Sequence, residues 1–172
     1  MSYGVVRTDK MTGTVDAAAL ESVKYCTVSG GTNYVPAEIE NGSVVKLDKI
    51  DANNRDVFLA VDVKKDTPLT DVVLVASVET LYDERKHNLD EFVNEAGVIA
   101  RGYRFVPGNA FGLTKECFAS GADAVAVGDT VELAEGHKMA IVKSATASTT
   151  TVGKVIAIET TGRYTYIVVK VA

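Results

Sequence analysis

Residues 72–106, VVLVASVETLYDERKHNLDEFVNEAGVIARGYRFV, read as strand, short capped helix, strand, near the middle of a 172-residue chain. Val72–Val78 is an apolar run broken only by Ser77, a pattern suited to a strand buried on both faces. Asn88 stands where a helix N-cap belongs, and Glu91 three residues later completes a capping-box pattern. Asp90 and Glu91 lie at the positive end of the helix macrodipole. Leu89, Phe92, Val93 and Ala96 then recur at i, i+3, i+4 and i+7, and Gly97 is placed to end the helix. The spacing predicts a helix over 88–96 and a second extended segment over Val98–Val106. Nothing in the stretch has the pattern of a catalytic group.

Outward from this centre the chain reads as strands. On the N-terminal side, Val57, Leu59, Val61 and Val63 alternate with Phe58, Ala60 and Asp62, which predicts a strand presenting one branched face to a core. Asn41-Gly42 is the strongest two-residue hairpin signal and is expected to join Tyr34–Glu40 to Ser43–Leu47. Ser22–Val28 is a further strand that runs into the turn Ser29-Gly30-Gly31-Thr32-Asn33. Leu81–His87, with Asp83, Glu84, Arg85 and Lys86, reads as a solvated loop. On the C-terminal side Pro107-Gly108-Asn109 makes a turn, and Thr114–Phe118 a short strand. Val127–Leu133 holds a glycine-aspartate turn leading into a strand, and strands follow over His137–Lys143, Val152–Glu159 and Tyr164–Val171, with Ile167, Val169 and Val171 sharing one face of the last. Short strands with turns every eight to twelve residues or so predict a mainly β fold, a β-barrel or sandwich with one short helix. Residues 22–172 are expected to form a single domain with a soft subdivision near 107–121. Residues 1–21 read as an extended N-terminal arm, polar over Thr8–Thr14, with Asp16 able to cap the short run Ala17-Ala18-Ala19-Leu20.

Composition narrows the function classes. The chain is 47% hydrophobic and 24% charged, ordinary for a globular protein. A net charge of −5 with no cluster of Lys or Arg argues against nucleic acid as a partner. There is no apolar run long enough to span a membrane and no apolar core to a signal peptide in MSYGVVRTDK, so synthesis and folding in a cytoplasm are expected. Cys26 and Cys117 are two isolated cysteines, expected as buried free thiols.

Candidate chemistry is sparse. His87 and His137 have no metal-ligand spacing with each other or with either cysteine, so no metal is expected. Cys117, between Glu116 and Phe118, stands where a small hydrophobe belongs, although a Cys–His pair can meet in space from distant positions. Ser29-Gly30-Gly31-Thr32 lacks a following lysine and helix, and Gly97 and Gly102 follow the central helix instead of opening it; no phosphate cradle or dinucleotide cofactor site results. Acid pairs such as Asp62 with Asp71 or Glu38 with Glu40 carry no glycosidase geometry. Tyr164 and Tyr166 share a strand face, as covering residues or as an interface patch.

Three stretches carry a resemblance. Tyr3–Thr14 with Leu20–Tyr25, then LDEFVNEAGVIARG over 89–102, then VGDTVEL and TVGKVIAIETTGRYTYIVVKV towards the C-terminus together resemble small virion structural proteins of tailed bacteriophages, of the head decoration or cement type. The resemblance implies a β-rich fold, no enzymatic activity, and many copies bound to the outside of a phage head assembled in the host cytoplasm. The implied partner is the major capsid protein, and the implied state a homo-oligomer, with a trimer favoured. On this reading the arm is the grip, through Tyr3, Val5, Val6, Arg7 and Met11, with Tyr164 and Tyr166 as a second surface, and residues 1–14 are expected to be dispensable for folding. Alternatives are another virion component, such as a head fibre base or tail tube protein, or a β-rich module binding carbohydrate or peptide. Aromatic content of 7% without tryptophan counts against sugar stacking. A hydrolase using Cys117 or His137 is a third alternative.

Overall fold

The computed structural model describes residues 2–11 and 19–172, with Lys10 described by its backbone. The expected cap at Asp16, the run Ala17-Ala18 and the end of the polar stretch at Thr12–Thr14 lie outside the described residues. The fold is mainly β, as expected. Thirteen strands are described: β1 (Val6–Lys10), β2 (Leu20–Ser29), β3 (Asn33–Pro36), β4 (Val44–Asp51), β5 (Asn54–Val61), β6 (Val72–Val75), β7 (Ala100–Arg104), β8 (Ala110–Leu113), β9 (Phe118–Ser120), β10 (Thr130–Leu133), β11 (Met139–Val142), β12 (Thr151–Thr161) and β13 (Tyr164–Val171). No described helix is long and apolar enough to cross a membrane.

The strands divide at the turn after β7. Residues 20–104 form a ring in which β2 pairs β5 in parallel, then β5–β4, β4–β6 and β6–β7 run antiparallel, and β7 returns to β2. This closed barrel has β3 added to the far half of β2. Residues 110–171, joined by β1 from the N-terminus, form a seven-stranded sheet in the order β1-β8-β13-β12-β10-β11-β9.

β6 lies where the two parts meet and is buried along its whole length, as its unbroken apolar sequence predicts. Val73 and Val75 point into the barrel with Val23, Val45 and Ala100, whereas Val72 and Leu74 join a larger core with Phe111, Leu113, Val131 and Met139 of the second sheet. The barrel interior is narrow. A Cβ added at Gly102 would lie 2.8 Å from Val73 Cγ2, so only glycine fits there. The same crowding corrects the expected face of β5. Val57 and Val63 are buried as expected, Val63 in the larger core, but Leu59 and Val61 are only half-buried, while Ala60 and the partly buried Phe58 pack into the barrel.

Two further expectations are corrected. Tyr34–Pro36 pairs with β2 through the Gly30-Gly31 turn, so Asn41-Gly42 is a turn but joins no hairpin. Asn41 instead buries its amide, donating to the Ser77 carbonyl (2.9 Å) and Glu79 Oε1 (3.2 Å) and accepting from Ser77 N–H (3.0 Å) and Asn94 Nδ2 (3.1 Å). The helix over 88–96 is a single 3₁₀ turn, Leu89–Glu91. Glu91 does make the predicted reach back, accepting the N–H groups of His87 and Asn88 at 2.8 Å. Phe92 is already extended, because Asn94 exchanges both backbone hydrogen bonds with Ile39 at 2.9 Å. One turn has little stability of its own, and that pairing outweighs it. Thr114–Phe118 likewise contains a 3₁₀ turn, Lys115–Cys117, before β9.

Candidate functional site: a fastened N-terminal segment beside a long loop

Residues 2–11 are a strand and its lead-in, not a free arm. Val6 and Arg7 pair with Leu113 and Gly112, and the register slips before Lys10 meets Ala110. Val5 and Met11, 1% and 2% exposed, belong to the core, with Val6 packed against its edge. Removing residues 1–14 therefore removes core side chains, which reverses the expectation that they are dispensable for folding. As gripping residues, Val5 and Met11 are inaccessible in this arrangement.

The lead-in is held by groups from three regions. Tyr3 N–H donates to the Asp90 carbonyl (2.8 Å) in the long loop between β6 and β7. Gly4 N–H donates to Glu40 Oε2 (2.8 Å), whose other oxygen is 2.7 Å from Lys138 Nζ. Val5 N–H donates to Thr114 Oγ1 (3.1 Å), and Val5 accepts Thr114 N–H (3.1 Å). Each amide thus has a partner, so the segment is buried without an unsatisfied donor. The backbone comes so close at Gly4 that a Cβ would sit 2.4 Å from Cys117 Sγ. Cys26 and Cys117 are buried free thiols. Burial and the nearby Glu40 carboxylate push the Cys117 thiol up to about 12, which leaves no thiolate near neutral pH.

Asp90 is the hub. Its carboxylate accepts Ser2 Oγ (2.9 Å) and the Tyr164 hydroxyl (2.8 Å), with Arg163 Nη2 at 3.9 Å. Burial opposes its charge, but the Tyr164 and Ser2 hydrogen bonds and the Arg163 cation outweigh that and hold the carboxyl below its usual range. Arg163 also donates to Asn88 Oδ1. Tyr164 and Tyr166 share a face as expected, their rings 6.3 Å apart. Tyr166 is buried beneath the Arg7 guanidinium, 5.4 Å from its ring centre, so it is a covering residue. Arg7 itself lies among Asp9, Glu159 and Thr161. Of the seven residues expected at an interface, Tyr3, Val6, Arg7 and Tyr164 are partly exposed, whereas Val5, Met11 and Tyr166 are buried.

The sequence reading missed Asp90, Glu40, Thr114 and Asn41 as fasteners. Their partners lie far along the chain, and the local patterns at Asp90 and Asn41 pointed to different roles, a helix start and a hairpin turn. His137 packs edge-on against Tyr25, 6.0 Å between ring centres, with Nδ1 3.4 Å from Asp62, which also accepts the Tyr25 hydroxyl (2.7 Å). Cys117 packs elsewhere, against Gly4, Gly42 and the Asn41 carbonyl. Among the described residues no three His, Cys, Asp or Glu side chains gather as metal ligands. Compared with protein-family models, with curated proteins and with solved structures, the chain matches none.

Proposed function

We propose that this protein is a non-enzymatic virion structural protein that binds the outer surface of a phage head and stabilises its mature form. The observation that supports this reading is the convergence at Asp90. The three stretches that resemble head decoration proteins are separated in sequence, yet Ser2 and Tyr3, Asp90, and Tyr164 are hydrogen-bonded into one fastening. Such a face is held in shape before any partner arrives, so little ordering cost attaches to binding. A protein of this kind stabilises the shell by mass action, since it binds the mature lattice and not its unfolded or immature forms. Repetition over symmetry-related sites adds avidity.

The test is co-sedimentation of the purified protein with mature heads prepared without it, beside immature procapsids. Saturable binding to mature heads alone is expected, and the copy number at saturation identifies the lattice position. Absence of binding to either particle overturns the proposal.

A further inference from the structure

Residues 76–99 connect β6 to β7 with no strand and one 3₁₀ turn, an unusual length for a connection in a compact fold and a common place for function. The segment is pinned at intervals. Asn41 grips it at Ser77 and Asn94, and Ser2, Tyr3 and Tyr164 grip it at Asp90. Between and beyond those pins it turns apolar side chains to solvent. Tyr82 is 92% exposed and Val78 66%, and Leu89, Val98 and Ile99 are exposed as well. Leu81, Phe92, Val93 and Val98 line a cleft of about 520 Å³ in the same segment, with Asp83, Lys86 and Glu95 among the polar groups around it.

Charge is concentrated here too. Residues 76–99 hold six carboxylates, Glu79, Asp83, Glu84, Asp90, Glu91 and Glu95, against Arg85 and Lys86, a net of −4 in a chain of net −5. Arg85 is turned back on Asp83. Glu84 and Glu95 are exposed and make no ion pair among the described residues.

From these observations we infer that residues 76–99 are the docking face of the protein and that its occupant is an apolar protein segment bearing arginine or lysine. The inference rests on the head-binding reading and names the chemistry of the shell surface it requires. An arginine or lysine side chain suits an apolar cleft with acidic surroundings, because its methylene stem lies on apolar surface while its head stays at the polar edge. Glu84 and Glu95 supply the complementary charge, and Tyr82 the large rigid contact that interfaces favour. The preset pins at Ser77, Asp90 and Asn94 keep the surface ordered beforehand.

The experiment compares wild type with Glu84→Lys/Glu95→Lys in binding to mature heads prepared without the protein, with Asp56→Lys/Asp66→Lys as a variant of equal net charge altered at exposed positions outside this segment, on β5 and in the turn after it. The inference expects wild type and the Asp56/Asp66 variant to bind alike and the Glu84/Glu95 variant to bind at least about tenfold more weakly, with all three melting together. Tyr82→Ser is expected to weaken binding about tenfold without affecting the melt. Equal binding by all variants, or equal loss in both charge variants, overturns this inference and leaves the head-binding reading standing. Failure of wild type to bind overturns both.

Discussion

Residues 2–11 and residues 76–99 are built by the same means and disposed in opposite ways. Both are fastened in part by isolated backbone or polar side-chain hydrogen bonds, in residues 2–5 and at Ser77, Asp90 and Asn94, and they meet at Asp90. The N-terminal segment turns Val5 and Met11 into the core, whereas the long loop turns Val78, Tyr82 and Val98 out. Fastening by polar groups therefore does not say what a segment is for. The direction of its apolar side chains does: one segment closes the fold and the other presents a surface.

That contrast can be broken by substitution. Val5→Asp places an unpaired carboxylate in the core and is expected to cost at least about 3 kcal/mol, read as a large fall in the denaturant midpoint. If the midpoint is unchanged, the N-terminal segment is a free arm after all. Asn41→Ala leaves the Ser77 and Asn94 groups without their partner and is expected to cost about 2–3 kcal/mol. Its amide hydrogen exchange should quicken over 77–94 while β13 stays protected. Uniform loss of protection would show that the loop is not a separate unit.

A smaller effect tests the hub. Tyr164→Phe removes one hydrogen bond to Asp90 and is expected to cost about 0.5–1.5 kcal/mol. Asp90 is held below the usual carboxylate range, so its contribution is full above the unfolded value near about pH 4 and is lost as pH falls through the lowered folded value. Thermal melts across that acid range should thus be less pH-dependent for the phenylalanine variant than for wild type. A parallel pair of curves would remove Tyr164 as the cause. Smallest of all, Tyr82→Ser is expected to leave stability within about 0.5 kcal/mol, since its ring is almost wholly in solvent. A clear loss of stability would mean that Tyr82 packs, and the loop would lose its place as a presenting surface.

The residues explain which parts of this were legible beforehand. Val72–Val75 and Ile167, Val169 and Val171 declared themselves because burial on both faces leaves an unbroken apolar run and an inward face leaves apolar residues at every second position. The face of β5 did not, since the narrow barrel takes Ala60 and turns Leu59 aside, and width is a property of the closed ring. Leu89, Phe92, Val93 and Ala96 have helical spacing, but the Ile39–Asn94 pairing decides their backbone. Asn41 looked like a hairpin residue. Its amide has more to bond with in a buried site between two loops than a hairpin turn would offer, and those loops are remote in sequence. The hub at Asp90 was hidden for the same reason: sequence pattern reports neighbours along the chain, and Ser2, Tyr3, Arg163 and Tyr164, which meet at Asp90, are all a long way off.

The N–H of Val5 and the hydroxyl of Thr114 that receives it are 109 residues apart. During synthesis β1 leaves the ribosome long before its partner strand β8 exists. At about 5–20 residues per second it waits on the order of 5–20 s, exposing Val5, Val6 and Met11. The barrel over 20–104 has all of its strands by then. The strand β1, made before every other strand of its sheet, is among the last to be paired.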